Sequence, residues 1–506
     1  MSVGPISSPA EGIRTAPELL ERAAVSAPDA VAVRDATGEW TYSELLRESQ
    51  RITAWLRSRG VTRGDRVLLS LRNGRRLVAL IHGVLAAGAV VVPVGVQTRS
   101  FQLAAVAADA EPRLAIGETV ERFEGVVAPT QGVDVLPLEQ VWAESASVPD
   151  PAPVAEVAPE DLALLIYTSG STAGPKGVVS RHRHVAFAVD AIAGQLAYRP
   201  GDVVCCRLPL SFDYALYQVF LCAHAGAELA MVDSLDELAA FRAIRDFRAT
   251  VLPVVPPVAQ TLLRLAARGG ADIPLRLITN TGAELTRGVA DGLRAAFPGV
   301  DVVPMYGMTE CKRISIAAPN ADVQVPGTVG RPLPGTRVDV VGPDGDVLPP
   351  GEVGEIVVYG PHVMDGYWRD PAASAERFRT DPVTGDRCLV TGDFGAMDRS
   401  GALTIVGRRD DVFKRRGVRT SVSEIETAAI DIPGVEEAAA ALVGDARECV
   451  LWVRGTLPPE HVLKAISERL EPAKTPDHCI VVDGLPRMPS GKIDKNALKA
   501  GVEGNR

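Results

Sequence analysis

The sequence is poor in the residues that staple a fold together covalently or through metals. Its 506 residues hold seven cysteines, Cys205, Cys206, Cys222, Cys311, Cys388, Cys449 and Cys479, an odd number with no C-x-x-C spacing. That pattern excludes a disulfide scaffold and a zinc ribbon, and it fits reduced, packed thiols in a cytoplasmic protein. No basic-then-apolar leader opens the chain, and the longest apolar run, near Val84 to Val96, is short and broken by Gly and Pro. Neither a targeting peptide nor a membrane span is expected. The formal net charge of −10 is spread along the chain without a basic stripe, which argues against a nucleic-acid partner. No internal repeat of fixed period is visible.

What is present is ample apolar material. A 46% apolar share over 506 residues can fill several cores, and a chain of this length exceeds what one core organises, so roughly three core-sized units are expected. The first dozen residues, MSVGPISSPAEG, read as a loose leader. From Ala16 to Pro93, helix-period stretches such as TYSELLRESQRITAWLRSRG alternate with short apolar runs, RVLLSL and AVVVPVG, as βαβ units do. The Pro- and Ala-rich Glu144–Leu162 segment reads as a surface connector. Beyond Val325, short β-branched runs separated by Gly and Pro predict an antiparallel β subdomain. Charge density jumps at GRRDDVFKRRG, Gly407–Gly417. The expected fold is therefore α/β: a large N-terminal domain, residues 1–409, of βαβ subdomains plus a β subdomain, and a small mobile α/β C-terminal domain, residues 410–506.

One stretch asks for a ligand. YTSGSTAGPKG, Tyr167–Gly177, follows the apolar run LALLIY and precedes VVSRHRHVAFAVDAIAGQLA, so a strand, a Gly/Ser/Thr loop with one lysine, and a helix are predicted. Backbone N–H groups, hydroxyls, a cation and a helix N-terminus converging in this way would bind phosphate. A P-loop is excluded by spacing, because Gly170 is followed by Pro175, Lys176 and Gly177 where G-x-x-x-x-G-K-[ST] is needed. Taken alone, the loop reads equally as a flexible turn.

Four more motifs follow in order: MYGMTE (Met305–Glu310), TGD (Thr391–Asp393), GRRDD (Gly407–Asp411) and PSGK (Pro489–Lys492). Together with the glycine loop they resemble the motifs of the adenylate-forming superfamily of acyl-CoA synthetases, non-ribosomal peptide adenylation domains and luciferase. The resemblance runs over nearly the whole chain. It implies that a carboxylate attacks the α-phosphate of ATP, pyrophosphate leaves, and the acyl group passes to a thiol. By the same resemblance Thr168, Ser169, Gly170, Ser171, Thr172 and Lys176 hold the β- and γ-phosphates. Gly282, Ala283, Glu284, Tyr306 and Gly307 would surround the nucleotide, with Tyr306 stacked on adenine. Glu310 would ligate Mg²⁺, Thr309 would meet the α-phosphate, and Asp393, backed by Arg408, would accept the ribose hydroxyls. Asp410 takes the hinge position and Gly417 lines a thiol tunnel. Lys492, presented by the Pro489–Gly491 turn, becomes the cation that lets two anions react. Singly, Asp393 and Glu310 read as ordinary solvated loop acids, and apart from its Pro-Ser-Gly frame Lys492 reads as a surface lysine. Ala173 stands where many relatives carry glycine.

The acid is less defined. LPLSFDYALYQVF, Leu208–Phe220, matches the segment in which amino-acid-activating members carry an aspartate for the substrate ammonium, so Asp213, with Tyr214, Tyr217 and Thr281, is assigned to the acid. A helix-capping aspartate is the equal alternative. Lys312 and Arg313 follow Glu310 directly, and on a regular strand one of them at most would enter the pocket. One anion and one cation there would match a β-amino or aspartate-like acid. Fourteen residues follow Lys492, so the acceptor is expected in trans: a discrete carrier protein, or coenzyme A. An acyl- or aryl-CoA synthetase is the enzyme alternative. A degenerate nucleotide-binding scaffold is the non-enzyme one, opposed by the presence of Lys492, Glu310 and Asp393. His182 and His184, two apart on the predicted helix, are expected at the surface and not as a metal pair.

Overall fold

The computed structural model describes residues 12–127, 133–148, 157–169, 175–233, 236–269, 272–381, 384–408, 412–415, 418–444, 448–470, 474–488 and 493–503. The leader up to residue 11, connector residues 149–156, Gly170, Ser171, Thr172 and Ala173 of the glycine loop, the hinge Asp410, Gly417 and Lys492 lie outside the described residues.

Local chemistry explains where elements begin. The helix Tyr42–Ser58 starts at Thr41, whose hydroxyl accepts from the Glu44 amide at 3.2 Å while the Glu44 carboxylate accepts from the Thr41 amide at 2.9 Å. This reciprocal cap satisfies two amides that the first turn leaves unpaired. Leu45, Ile52, Trp55 and Leu56 then fall on its buried face. The strand Val90–Pro93 is buried at every position, as parallel strands covered on both faces are.

Two sheets organise the large domain. A six-stranded sheet runs in the order Asp134–Pro137, Leu114–Gly117, Arg66–Ser70, Val90–Pro93, Leu162–Ser169, Pro175–Arg181, parallel except for the last pair. The other has 14 strands, and its parallel part places Asp301–Tyr306, Leu277–Asn280, Val251–Val254 and Val203–Cys206 side by side. The antiparallel β region expected after Val325 is present, but it is no separate sheet. Ser315–Ile316 pairs with both Asp301–Tyr306 and Thr328–Pro332, so the antiparallel strands extend the parallel ones edge to edge. The small domain carries a hairpin, Val412–Arg415 with Val418–Ser421, and a three-stranded sheet, Val435–Val443, Glu448–Gly455 and His478–Val481. Helices Val422–Ile430, Pro459–Arg469 and Lys495–Glu503 accompany them. Among the described residues no helix is long and apolar enough to cross a membrane.

Two expectations are corrected. The glycine loop does not lead into a helix: Pro175–Arg181 is a strand, antiparallel to Leu162–Ser169 with Thr168 opposite Lys176, and the helix begins only at His182. The β-branched pair Val178 and Val179 is buried, which favours extended backbone and overrides the helical period of the residues after it. The described residues on either side of the loop are therefore two paired antiparallel strands, and not a strand and a helix. His182 and His184 are likewise not at the surface. Both are 0% exposed, with the Nδ1 of His182 accepting from the Ala16 amide at 3.2 Å and that of His184 from the Arg181 amide at 3.0 Å.

His82 and His362 are buried as well, edge-on or tilted against Phe220 and Phe187, and no ring nitrogen of either has a hydrogen-bond partner. Burial pushes both imidazoles down to about 4. In the unfolded chain they bind protons near the usual histidine value, so the unfolded state takes up more protons between about pH 6.5 and 4 and stability falls as pH drops through that window. Each would cost roughly 3 kcal/mol over the full window. The melting temperature is expected to decline from pH 7 to 4.5, and less steeply in His82→Leu. Parallel curves for the two proteins would show that His82 takes up no proton on unfolding.

Candidate active site

The site forms where adjacent parallel strands end. Leu277–Asn280 and Asp301–Tyr306 lie in register with Asn280 beside Pro304, so Thr281–Glu284 and Tyr306–Gly307 leave the sheet at the same edge. Crevices outside the carboxyl ends of such strands are where α/β sheets bind ligands. Gly282 sits at φ +90°, and Asn280 Nδ2 donates to the Ala283 carbonyl at 2.8 Å, which fixes the turn. Thr281 is buried and Glu284 exposed.

After Tyr306 the chain doubles back and rejoins the sheet at Ser315, and the Ile314 amide donates to the Tyr306 carbonyl at 2.8 Å. The turn passes so close to Gly307 that a Cβ there would lie 2.0 Å from the Lys312 carbonyl oxygen. Lys312 itself is left-handed at φ +63°. The expectation of one inward cation on a strand is thereby corrected: residues 307–314 are not strand, and Lys312 and Arg313 both line one cavity.

That cavity is bounded on its other side by the helix Asp213–Ala225, which contributes Asp213, Tyr214 and Tyr217. Its free interior is about 10 Å³, room for about one water. Asp213 is the first residue of the helix; the capping position is Phe212, and no side-chain cap is made there. Asp213 is 5%, Lys312 1% and Arg313 5% exposed, and none of the three forms an ion pair within 4.0 Å among the described residues. Among the described residues Lys312 Nζ has no hydrogen-bond partner, and it lies 5.4 Å from the Tyr217 ring. Burial lowers the pKa of its ammonium, while the Asp213 and Glu310 carboxylates pull it back up. The Arg313 guanidinium stacks 4.6 Å over Tyr214, and its Nη1 donates to the Lys312 carbonyl at 3.1 Å. The Tyr214 hydroxyl is satisfied by the Thr279 carbonyl at 2.8 Å, so Tyr214 presents a ring wall. The Tyr217 hydroxyl has no partner.

Beside this turn, the Tyr306 strand leads toward a second group of candidates: Asp393 stands opposite Arg408 on adjacent antiparallel strands, with Arg408 Nε 3.6 Å from Asp393 Oδ1. The Tyr306 hydroxyl donates to Asp393 Oδ2 at 2.6 Å. Glu310 is buried and accepts the Tyr367 hydroxyl at 2.8 Å. Lys176 Nζ lies 5.1 Å over the ring of the same Tyr367. Thr309 precedes Glu310 in the turn, and Thr168 and Ser169 close the first strand of the hairpin. Tyr367 escaped sequence reasoning, because nothing in the local string DGYW ties it to a carboxylate 57 residues away. Among the described residues no group of three or more His, Cys, Asp or Glu could hold a metal ion unaided.

With this geometry in view, residues 20–368 match the AMP-binding enzyme family and residues 424–492 the AMP-binding enzyme C-terminal domain. The chain belongs to the AMP-binding enzyme family. As a member of that family it is an adenylate-forming enzyme of the AMP-forming ligase class, whose members use ATP. It is 33% identical over 505 residues to the AMB antimetabolite synthetase AmbB of Pseudomonas aeruginosa, a match that covers 98% of this chain and 39% of AmbB. The chain thus spans about two fifths of that relative. It is 29% identical over 498 residues to an L-proline–[L-prolyl-carrier protein] ligase of Pseudomonas fluorescens, covering 94% of this chain and 97% of the ligase. The crystal structure of VinN superposes with a TM-score of 0.72 at 41% identity, over 78% of this chain and 98% of VinN, and VinN has also been solved in complex with L-aspartate.

For this AMP-binding enzyme the close approach at Gly307 generates a prediction. Gly307→Ala forces a methyl group into the Lys312 carbonyl and should unseat Lys312 and Arg313 together. We expect a loss of a few kcal/mol in chemical denaturation, as overpacking against backbone produces, with collapse of substrate-dependent pyrophosphate exchange. Wild-type stability and exchange in this variant would contradict the contact.

Proposed function

We propose that the protein activates an amino acid carrying a second carboxylate, of the β-amino or aspartate-like class, and passes it to a carrier. The observation that carries this reading is the cavity in which Asp213, Lys312 and Arg313 are buried together without ion pairs. A buried charge needs a counter-charge, and among the described residues none of the three forms an ion pair within 4.0 Å. A substrate ammonium opposite Asp213 would neutralise it, and a carboxylate between Lys312 and Arg313 would offset one of the two cations while hydrogen-bonding to both. The second carboxyl of the substrate would remain free to face the nucleotide. The likeness to VinN, solved with L-aspartate, supports the same class.

In the reaction, Thr168, Ser169, Gly170, Ser171, Thr172 and Lys176 hold the β- and γ-phosphates. Gly282, Ala283, Glu284, Tyr306 and Gly307 flank the base. Asp393, kept in place by Tyr306 and Arg408, accepts from the ribose hydroxyls, which suits an acceptor-only group. Thr309 meets the α-phosphate. Glu310 fits magnesium: Mg²⁺ is commonly held by one or two carboxylates together with substrate phosphates, and only Oε1 of Glu310 accepts a hydrogen bond from the described residues. When bound, the metal neutralises charge on the phosphates as pyrophosphate leaves.

The small domain, from about residue 410, turns about Asp410 and brings Lys492 to the reacting carboxylate and α-phosphate. A second arrangement admits the phosphopantetheine thiol of a discrete carrier protein past Gly417, and the thiol takes the acyl group as AMP departs. The likeness to a prolyl-carrier ligase supports a carrier as acceptor.

Pyrophosphate exchange over amino, β-amino, aryl and fatty acids tests the substrate, with highest exchange expected for an aspartate-like acid. A preference for plain fatty or aryl acids would remove the reading. Asp213→Ala should lower kcat/KM for amino acids by at least ~30-fold, as truncation of one partner of a buried charge pair does. Lys492→Ala should reduce adenylate formation by roughly 100-fold or more while thiol transfer from preformed acyl-adenylate persists. Intact-mass measurement after incubation with a holo-carrier or with coenzyme A identifies the acceptor, and acylation of coenzyme A alone would replace the carrier in this scheme.

A further inference from the structure

Tyr367 occupies an unusual place between two opposite charges. The segment around it is bound on both sides by backbone. The Trp368 amide donates to the Gly177 carbonyl at 2.7 Å and the Val179 amide to the Gly366 carbonyl at 3.0 Å, which ties the segment to the phosphate hairpin. The Met364 amide donates to the Glu310 carbonyl at 3.0 Å, which ties it to the turn. Asp365 adds ion pairs with Arg181 and Arg183, both on the hairpin side. Thus the backbone position of Tyr367 is set by the same two elements that carry Lys176 and Glu310.

Its side chain then serves both. The ring lies under Lys176 Nζ at 5.1 Å, a cation–π contact, and the hydroxyl donates to Glu310 Oε1 at 2.8 Å. The ring is also wedged edge-on against Phe378, 5.5 Å between centroids, and its amide donates to Ser374 Oγ at 2.9 Å. Lys176 and Glu310 do not form an ion pair within 4.0 Å, although each contacts the same tyrosine. A lysine and a carboxylate that share one side chain as neighbour attract each other, and a closed pair would offer neither a cation to phosphate nor a carboxylate to metal.

We propose that Tyr367 is a positioning residue that holds Lys176 and Glu310 apart and aims Glu310 at the metal, so that both charges stand ready before the nucleotide arrives. This rests on the assignment of Glu310 to Mg²⁺ made above. The tyrosine acts through its hydroxyl as a donor to Glu310 Oε1. Interposing an aromatic ring is what keeps each charge partnered without mutual neutralisation.

Calorimetric titration of the full-length protein with ATP, with and without MgCl₂ and without any acid, reads this directly. Tyr367→Phe keeps the ring and loses the donor. It should weaken ATP binding in the presence of Mg²⁺ by ~10-fold, the loss expected for one hydrogen bond to a charged group, and leave metal-free ATP binding within about 2-fold. Tyr367→Leu removes the cation–π contact as well and should weaken both. In the Glu310→Gln background, Tyr367→Phe should have no further effect, because the two changes remove one interaction. Additive losses in that cycle, or wild-type Mg²⁺ dependence in Tyr367→Phe, would overturn the inference. If Glu310→Gln leaves Mg²⁺-dependent binding intact, the metal assignment fails together with it. If Glu310→Gln weakens that binding and Tyr367→Phe does not, only the role of Tyr367 fails.

Discussion

A backbone that turns back on itself between Gly307 and Ile314 is the constraint on which the site hangs. Only glycine fits beside the Lys312 carbonyl, and only a left-handed residue at Lys312 lets the chain return to pair with its own strand. A non-glycine residue in that region costs of order 1–3 kcal/mol. What the strain produces is a change of direction for two successive side chains. On a strand Lys312 and Arg313 would point to opposite faces; in the turn both reach one cavity, while Glu310, two residues earlier, is held by the Tyr367 hydroxyl. Three charges of different duty are thus distributed by one short loop.

The second governing effect is the treatment of charge out of water. Asp213, Lys312 and Arg313 are nearly excluded from solvent, and the fold places them around the same small cavity without closing them on each other. Such an arrangement is unfavourable in the free protein and becomes favourable with a ligand of complementary charges, which is how buried polar sites reject analogues that lack the matching group. Asp393 and Glu310 are treated in the opposite way. Asp393 and Glu310 each hold a tyrosine hydroxyl, so both carboxylates are oriented before any ligand is present.

Much of the large domain was legible because period and capping agree locally, as at Thr41–Glu44 and along Val90–Pro93. Legibility failed where a long-range contact decides. The strand Pro175–Arg181 runs without a break into the helix His182–Leu196, and its pairing with Leu162–Ser169 adds to what the β-branched Val178 and Val179 favour. His182 looks like a surface residue until the Ala16 amide is found on its ring. For the site, motif order led to Asp213, Lys312 and Arg313 as candidates, but their shared cavity depends on a left-handed residue that no spacing announces. Tyr367 carried no local signal at all, since its partners, Lys176 and Glu310, arrive from two other parts of the chain.

The helix Asp213–Ala225 lends Asp213, Tyr214 and Tyr217 to the cavity wall, and the turn that carries Lys312 and Arg313 supplies the other side. Lys176 belongs to the hairpin, and Asp393 and Arg408 to the antiparallel strands. Half of the cavity's lining thus hangs on one helix, separate from the elements that carry Lys176, Asp393 and Arg408, so substitutions confined to that helix reshape the cavity while those three residues keep their places.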